Sequence, residues 1–89
     1  MTEYQRELWE TYGPRFVDLM GRHPLNEQVI LKDLFGDEWA EVGDRVRRQN
    51  LGRAVVAAFA DPIIQGQMTE IEQTVVNGTP NRMQYRRIR

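Results

Sequence analysis

The chain is short, nearly neutral and free of cysteine. It has 89 residues, of which 40% are hydrophobic and 28% charged, and its 12 basic and 13 acidic residues give a net charge of −1. This length predicts one domain, residues 1–89, with a single modest core and no room for a large catalytic cleft. The lack of cysteine excludes disulfides, thiolate metal ligands and cysteine nucleophiles. No apolar run reaches the roughly 20 residues that span a bilayer, so we expect a cytoplasmic protein without membrane contact.

The two halves of the chain carry opposite charge. Residues 1–44 contain ten acidic and four basic residues, a net charge of −6, whereas residues 45–89 contain eight arginines and three acidic residues, a net charge of +5. This asymmetry predicts that the basic half contacts nucleic acid or another acidic surface. Eleven of the twelve basic residues are arginine, whose planar fork suits phosphates and guanine edges, although a high-GC genome explains the same bias.

The first helix is predicted from apolar residues at every fourth position, which is the spacing of one helix face. These residues are Tyr4, Leu8, Tyr12, Phe16 and Met20, and they predict a helix from about Thr2 to Met20. Gly13-Pro14 lies inside this segment. Because proline lacks a backbone N–H, we expect either a kink there or two shorter helices.

A brief strand and a second helix are predicted next. The segment Gln28–Leu31 is rich enough in β-branched residues to form a short strand. A helix is expected over Lys32–Val42, with its apolar side chains on one side. Gly36 weakens the middle of this helix, so two short turns are the alternative.

The third helix is predicted over residues 45–60. Gly43-Asp44 combines a residue that ends helices with one that caps the next, and Asp61-Pro62 closes the segment. At 100° per residue, two faces are predicted. Leu51, Val55, Ala58 and Phe59 form the apolar face, and Gln49, Asn50, Arg53 and Ala57 form the opposite face.

A β-hairpin is predicted over residues 68–88. Met68–Val76 and Arg82–Ile88 have strand composition, and the five residues 77–81 between them are turn formers. The hairpin follows the third helix directly, so the predicted fold class is α+β.

This order of elements resembles a winged helix-turn-helix domain, in which the third helix lies in the major groove and the hairpin forms the wing. The resemblance covers about Tyr4 to Ile88. It implies a winged-helix-like domain with a three-helix core and a C-terminal two-stranded β-hairpin. It also implies sequence-specific DNA binding and transcriptional control, although winged helices serve as protein-interaction modules as well.

Individual positions are also similar to a family of small uncharacterised bacterial proteins, many of them from Gram-positive organisms and mobile elements. The positions are Ile30-Leu31-Lys32-Asp33-Leu34-Phe35, Trp39, Arg48, Leu51-Gly52-Arg53, Asn81 and Tyr85-Arg86. The family has no assigned activity, so this similarity adds no function of its own. The predicted protein is a small transcriptional regulator or a mobile-element protein.

The first hypothesis for function is binding of double-stranded DNA by the third helix and the hairpin. Glutamine, asparagine and arginine reach base edges, and arginine neutralises phosphates. The predicted contacts are Arg45 and Arg47 to phosphates, Gln49, Asn50 and Arg53 to base edges, and Arg82 and Arg86 in the wing. Alternatively, these side chains only solvate the exposed back of an amphipathic helix. Arg48 lies near the apolar face, where we expect it to pair with Glu38 or Glu41.

The second hypothesis is a non-enzymatic protein-interaction or inhibitor module. The second predicted helix and its flanks are strongly acidic, with Asp33, Asp37, Glu38, Glu41 and Asp44. Such charges oppose the approach of a DNA backbone. The first helix is rich in aromatic residues, which either complete the core or make a homodimer contact.

An enzymatic function is not expected. His23 is the only histidine, and it has no cysteine or second histidine to form a metal site or a nucleophile-base pair. The glycine spacing matches neither a phosphate-binding loop nor a dinucleotide fingerprint. We therefore predict no metal and no cofactor.

Overall fold

A computed structural model describes residues 1–75 and 83–89, and within these residues the chain forms five helices and three strands. In chain order they are α1 (Glu3–Arg22), β1 (Gln28–Val29), α2 (Leu31–Phe35), α3 (Glu38–Glu41), α4 (Arg45–Ala60), α5 (Pro62–Gln65), β2 (Ile71–Val75) and β3 (Met83–Arg87). The α+β class is confirmed. The expectation of a three-helix core is wrong, because the described residues form five helices. The short strand predicted over residues 28–31 is present as β1, and it extends the predicted two-stranded hairpin to an antiparallel sheet of order β1-β3-β2.

Helix α1 is one continuous helix with Pro14 inside it, so of the two alternatives for Gly13-Pro14, division into two shorter helices is wrong. A capping box starts it: the Gln5 N–H donates to Thr2 Oγ1, and the Thr2 N–H donates to Gln5 Oε1, both at 3.1 Å. At the other end, Arg87 Nη1 donates to the Gly21 carbonyl oxygen at 2.8 Å. This contact gives a partner to a helix-end carbonyl and ties β3 to α1.

Gly13 is required by packing rather than by backbone conformation. It is buried in α1 beneath the Trp9 ring, and a Cβ at this position would lie 2.7 Å from two atoms of the indole. The Trp9 ring in turn lies 6.3 Å from the ring of Phe16. The absence of a side chain at Gly13 therefore lets the indole lie flat against its own helix.

The core is centred on three aromatic rings from three different elements. Phe16 of α1 is edge-on to Tyr85 of β3 at 5.1 Å between centroids and edge-on to Phe59 of α4 at 6.3 Å. Phe59 and Tyr85 lie 5.5 Å apart. The other buried apolar side chains are Leu8, Met20, Leu31, Phe35, Val42, Leu51, Ala54, Val55, Ala58, Met68 and Ile71.

The segment between β1 and α4 forms two short helices instead of one. Gly36 separates α2 from α3, as the alternative for this segment predicted. The turn from α3 into α4 consists of Val42, Gly43 and Asp44. Gly43 has φ 137°, a conformation that favours glycine. Asp44 Oδ1 then accepts from the Arg47 N–H at 2.9 Å and caps α4 at the predicted position.

The end of α4 and the start of the hairpin differ from expectation. Asp61-Pro62 ends α4 as predicted, but it also starts α5: Asp61 Oδ1 accepts from the Ile63 N–H at 2.9 Å, and Pro62 occupies the first turn. Strand β2 begins only at Ile71 and not at Met68, because residues 68–71 form a turn in which the Ile71 N–H donates to the Met68 carbonyl oxygen at 3.0 Å. Gln73 of β2 then lies opposite Tyr85 of β3.

Replacing Gly13 and Gly52 by alanine is predicted to have opposite effects. Nothing lies within 4 Å of a Cβ built at Gly52 in α4, so Gly52→Ala should raise the free energy of unfolding by about 0.5–1 kcal/mol through helix propensity. Gly13→Ala should lower it by about 1 kcal/mol or more, because the Trp9 indole must move. Urea unfolding of both variants checks this. A stabilising Gly13→Ala would show that the indole contact is not required.

Tyr85→Phe is predicted to stabilise the protein. Tyr85 is 1% exposed, and its hydroxyl has no hydrogen-bond partner in the described part of the chain. Burial raises the pKa of this phenol, so it stays neutral. Removing an unsatisfied buried hydroxyl should raise the free energy of unfolding by about 1 kcal/mol. Tyr4→Phe, on an exposed ring, is the control and should change it by less than about 0.5 kcal/mol. A destabilised Tyr85→Phe would mean that the hydroxyl has a partner in solution.

Candidate nucleic-acid interface

Helix α4 separates into a buried and an exposed face. Leu51, Val55 and Ala58 are buried, as predicted, while Gln49 and Arg53 are exposed. The helix has 16 residues and no acidic residue, so it presents about 24 Å of surface without a carboxylate of its own. This property distinguishes it from α1 and α3, which both carry exposed glutamates.

Three polar side chains line the exposed face at helical spacing. Arg45, Gln49 and Arg53 lie four residues apart, so each follows the previous one by about 6 Å along the same side of the helix. Within residues 1–75 and 83–89, neither arginine takes part in an ion pair. The row therefore carries two positive charges that no carboxylate in the described residues neutralises.

Asn50 is turned partly toward its own helix. Its Nδ2 donates to the Val46 carbonyl oxygen at 2.9 Å, and the residue is half-buried. One of its two amide donors is thus in use, and the side chain lies beside the exposed row rather than in it.

Arg47 faces α1 instead of the exposed side of α4. Its guanidinium carbon lies 5.9 Å from the centroid of the Tyr12 ring, a cation–π distance. The residue also lines a cavity of about 300 Å³ whose other walls include Tyr4, Glu7 and Glu10. Through its contact with Tyr12, Arg47 contributes to the packing of α4 on α1. Because Glu7 and Glu10 lie around the same cavity, Arg47 adds little positive charge to the exposed row.

Arg86 lies on the outer face of the sheet and is paired. Its Nη2 donates to both carboxylate oxygens of Glu72, each at 2.9 Å, across the β2–β3 ladder. The charge expected to anchor the wing is therefore neutralised by its strand neighbour. Arg82 and the turn 77–81 lie outside the described residues, so the tip of the wing stays a sequence-based prediction.

Glu38 pairs with Arg15 and not with Arg48. Arg15 Nε and Nη2 donate to the two carboxylate oxygens of Glu38 at 2.9 and 2.8 Å, and Nη1 donates to Asp18 at 2.9 Å. The hydrogen bond from Arg15 holds the pKa of Glu38 below its ordinary value. The sequence does not predict the pair between Arg15 and Glu38, because two residues that lie 23 positions apart leave no periodic signal. Only the i,i+3 spacing of Arg15 and Asp18 on one helix indicates an ion pair.

The acidic segment before α4 is exposed. Asp33, Asp37, Glu41 and Asp44 all have exposed side chains, although Asp44 also caps α4. Only Glu38 of this group has its charge compensated by an ion pair in the described residues. The protein thus presents a carboxylate-rich surface on α2 and α3 and an arginine row on the next helix.

Among the described residues, no three histidine or acidic side chains lie close enough to hold a metal ion. None of the described helices is long and apolar enough to cross a bilayer.

Comparison of the chain with protein-family models, with curated proteins and with solved structures finds no match.

Glu38→Gln is predicted to lower stability at neutral pH, but not in acid. A carboxyl whose pKa is depressed in the folded protein stabilises the fold above its unfolded pKa, near 4.5, and loses this contribution as the pH falls through the folded value. The difference between Glu38→Gln and wild type, measured by urea unfolding, should therefore shrink from pH 4.5 downward. Glu41→Gln, in the same helix, is the control and should show little difference at any pH. An acid-independent loss for Glu38→Gln would assign the effect to packing.

Proposed function

We propose that this chain is a non-enzymatic DNA-binding protein of the winged-helix kind, acting as a small transcriptional regulator or a mobile-element protein. The observation that carries the proposal is the exposed row of Arg45, Gln49 and Arg53 on a helix without acidic residues. The partner is double-stranded DNA. An α-helix fits the major groove, and arginine and glutamine are the side chains that pair there with guanine and adenine.

The order of elements supports this proposal. Helices α3 and α4 are joined by a three-residue turn that contains glycine, as in a helix-turn-helix unit. The β2–β3 hairpin follows α4 after the short α5, which is the chain position of a wing. Strand β1 pairs with β3, and β3 also contacts α1 and α2, so the hairpin is held against the helical core.

Each member of the row has its own role in the proposed complex. Arg53 and Gln49 read base edges from the middle of α4. Arg45, in the first turn, neutralises a phosphate, and this relieves the unfavourable position of a cation at a helix N-terminus. Arg47 holds the helix against α1, so its contribution to binding is indirect. Arg82 is predicted from sequence to contact the backbone from the wing.

The test is fluorescence anisotropy with a labelled random-sequence duplex across a salt series. Wild type should bind with an affinity that falls steeply with salt. Arg45→Ala should reduce the slope of log K against log salt by about one, because one phosphate contact is lost. Arg6→Ala removes the same charge from the exposed side of α1 and serves as the matched control. Arg82→Ala should weaken binding to all sequences.

Sequence preference is tested on a duplex selected from a random pool. Arg53→Ala should lose about 1–3 kcal/mol on the selected duplex and much less on random DNA. Equal losses on both duplexes would contradict base reading by Arg53. No binding by wild type at low salt would reject the DNA proposal as a whole.

The second candidate is a protein-interaction or inhibitor module that binds a basic protein surface. It is favoured by the exposed, unpaired carboxylates of Asp33, Asp37 and Glu41 in the described segment around α2 and α3. The two candidate functions predict different effects of removing one of these carboxylates on binding. Asp37→Asn should leave DNA binding unchanged or strengthen it, whereas it should weaken capture of a basic partner.

A further inference from the structure

Strand β2 has an unpaired edge. Within the described residues, β3 pairs with β2 on one side and with β1 on the other, and no strand pairs with the outer side of β2. Exposed edges recruit further strands unless they are protected by lysine, proline, a bulge or an unpaired charge. Ile71–Val75 has the sequence IEQTV, and the one charge in it, Glu72, is neutralised by Arg86. Within residues 71–75, this edge therefore has no lysine, no proline and no unpaired charge.

The register shows which backbone groups face outward. The Ile88 N–H donates to the Glu70 carbonyl oxygen at 2.8 Å, in line with the β2–β3 register. Because hydrogen-bonded pairs alternate in an antiparallel ladder, Glu72 and Thr74 also bond to β3, and Gln73 between them points its N–H and C=O away. The Ile71 N–H also points away from β3 but donates to Met68. Gln73 is thus the central outward-facing residue of the edge.

A groove runs beside this edge. It has a volume of about 590 Å³, and its walls include Phe59, Pro62, Ile71, Gln73 and Ile88. The walls of the groove therefore combine apolar side chains from the end of α4 and from α5 with the polar edge of β2. An extended strand matches both properties, since it offers backbone hydrogen bonds on its edge and side chains to the apolar walls.

We propose that β2 pairs antiparallel with β2 of a second copy of this chain, about a two-fold axis at Gln73. In this register Gln73 faces its own copy, Ile71 faces Val75, and Glu72 faces Thr74. The strand is therefore complementary to itself. An axis one residue earlier would place the two Glu72 carboxylates opposite each other, which is unfavourable.

The side chain of Gln73 supports the choice of a second copy. Its Oε1 is out of contact with water and has no hydrogen-bond partner in the described part of the chain. A buried acceptor without a hydrogen-bond partner lowers the free energy of unfolding. At the two-fold axis, rotation of each side chain toward the edge lets one amide donate to the other. The same residue thus provides the central backbone pair and the side-chain pair.

Single-cysteine variants test the register, because the chain has no cysteine of its own. Across the axis the two Cα atoms at position 73 are expected about 5.5 Å apart, within disulfide range. Gln73→Cys should therefore form a covalent dimer on mild oxidation. In Thr74→Cys the two thiols are diagonal neighbours, about 7–8 Å apart between Cα atoms, and should link far more slowly. Equal rates for the two variants would overturn the proposed register.

Mass measurement by light scattering across a concentration series tests the association itself. Wild type should show a monomer–dimer equilibrium. Gln73→Lys places two like charges at the axis and should raise the dissociation constant at least about tenfold, whereas Thr74→Lys, opposite Glu72, should not. Circular dichroism confirms that both variants fold.

Two results would overturn the proposal. One is a monomeric wild type at every concentration. The other is a dimer that Gln73→Lys leaves intact while Tyr4→Ala dissociates it, because this would place the contact on α1. Neither measurement involves DNA, so failure of the dimer and failure of DNA binding are distinguishable.

Discussion

The contact among Phe16, Phe59 and Tyr85 joins the three parts of this small domain. Each ring comes from a different element, α1, α4 and β3, and all three centroids lie within 6.3 Å of one another. A chain of 89 residues has few large side chains with which to build a core. The orientation of the helices relative to the sheet therefore depends on these rings, and so does the face that each element presents to the outside.

The outward face of α4 follows from this constraint. With Phe59, Leu51 and Val55 turned to the core, the helical period leaves Arg45, Gln49 and Arg53 outside. In the sheet, β3 lies between β1 and β2, so β2 is an edge strand. The proposed DNA surface and the proposed dimer edge thus lie on different elements, and one protein can use both at once.

Among the described residues, some arginines contact other parts of the protein, whereas others are free to bind a ligand. Arg15 ties α1 to α3, Arg47 packs on Tyr12, Arg86 pairs with Glu72, and Arg87 caps α1. Arg45 and Arg53 have no such partner in the described residues. The positive charge of the second half of the chain is therefore less available to a ligand than its total suggests. Arg45 and Arg53 are two of the arginines in this half that have no ion pair in the described residues, and they share one face of α4.

The sequence by itself determined the features that depend on neighbouring residues. Periodicity predicted the buried and exposed faces of α4, and Asp44 and Asp61 predicted its start and its end, because caps and helix faces are local. Only the tertiary structure decided the rest. Strand β1 pairs with residues 56 to 58 positions later in the chain, and Glu38 pairs with Arg15 rather than with Arg48. These outcomes depend on which distant side chains meet, and no local pattern encodes that.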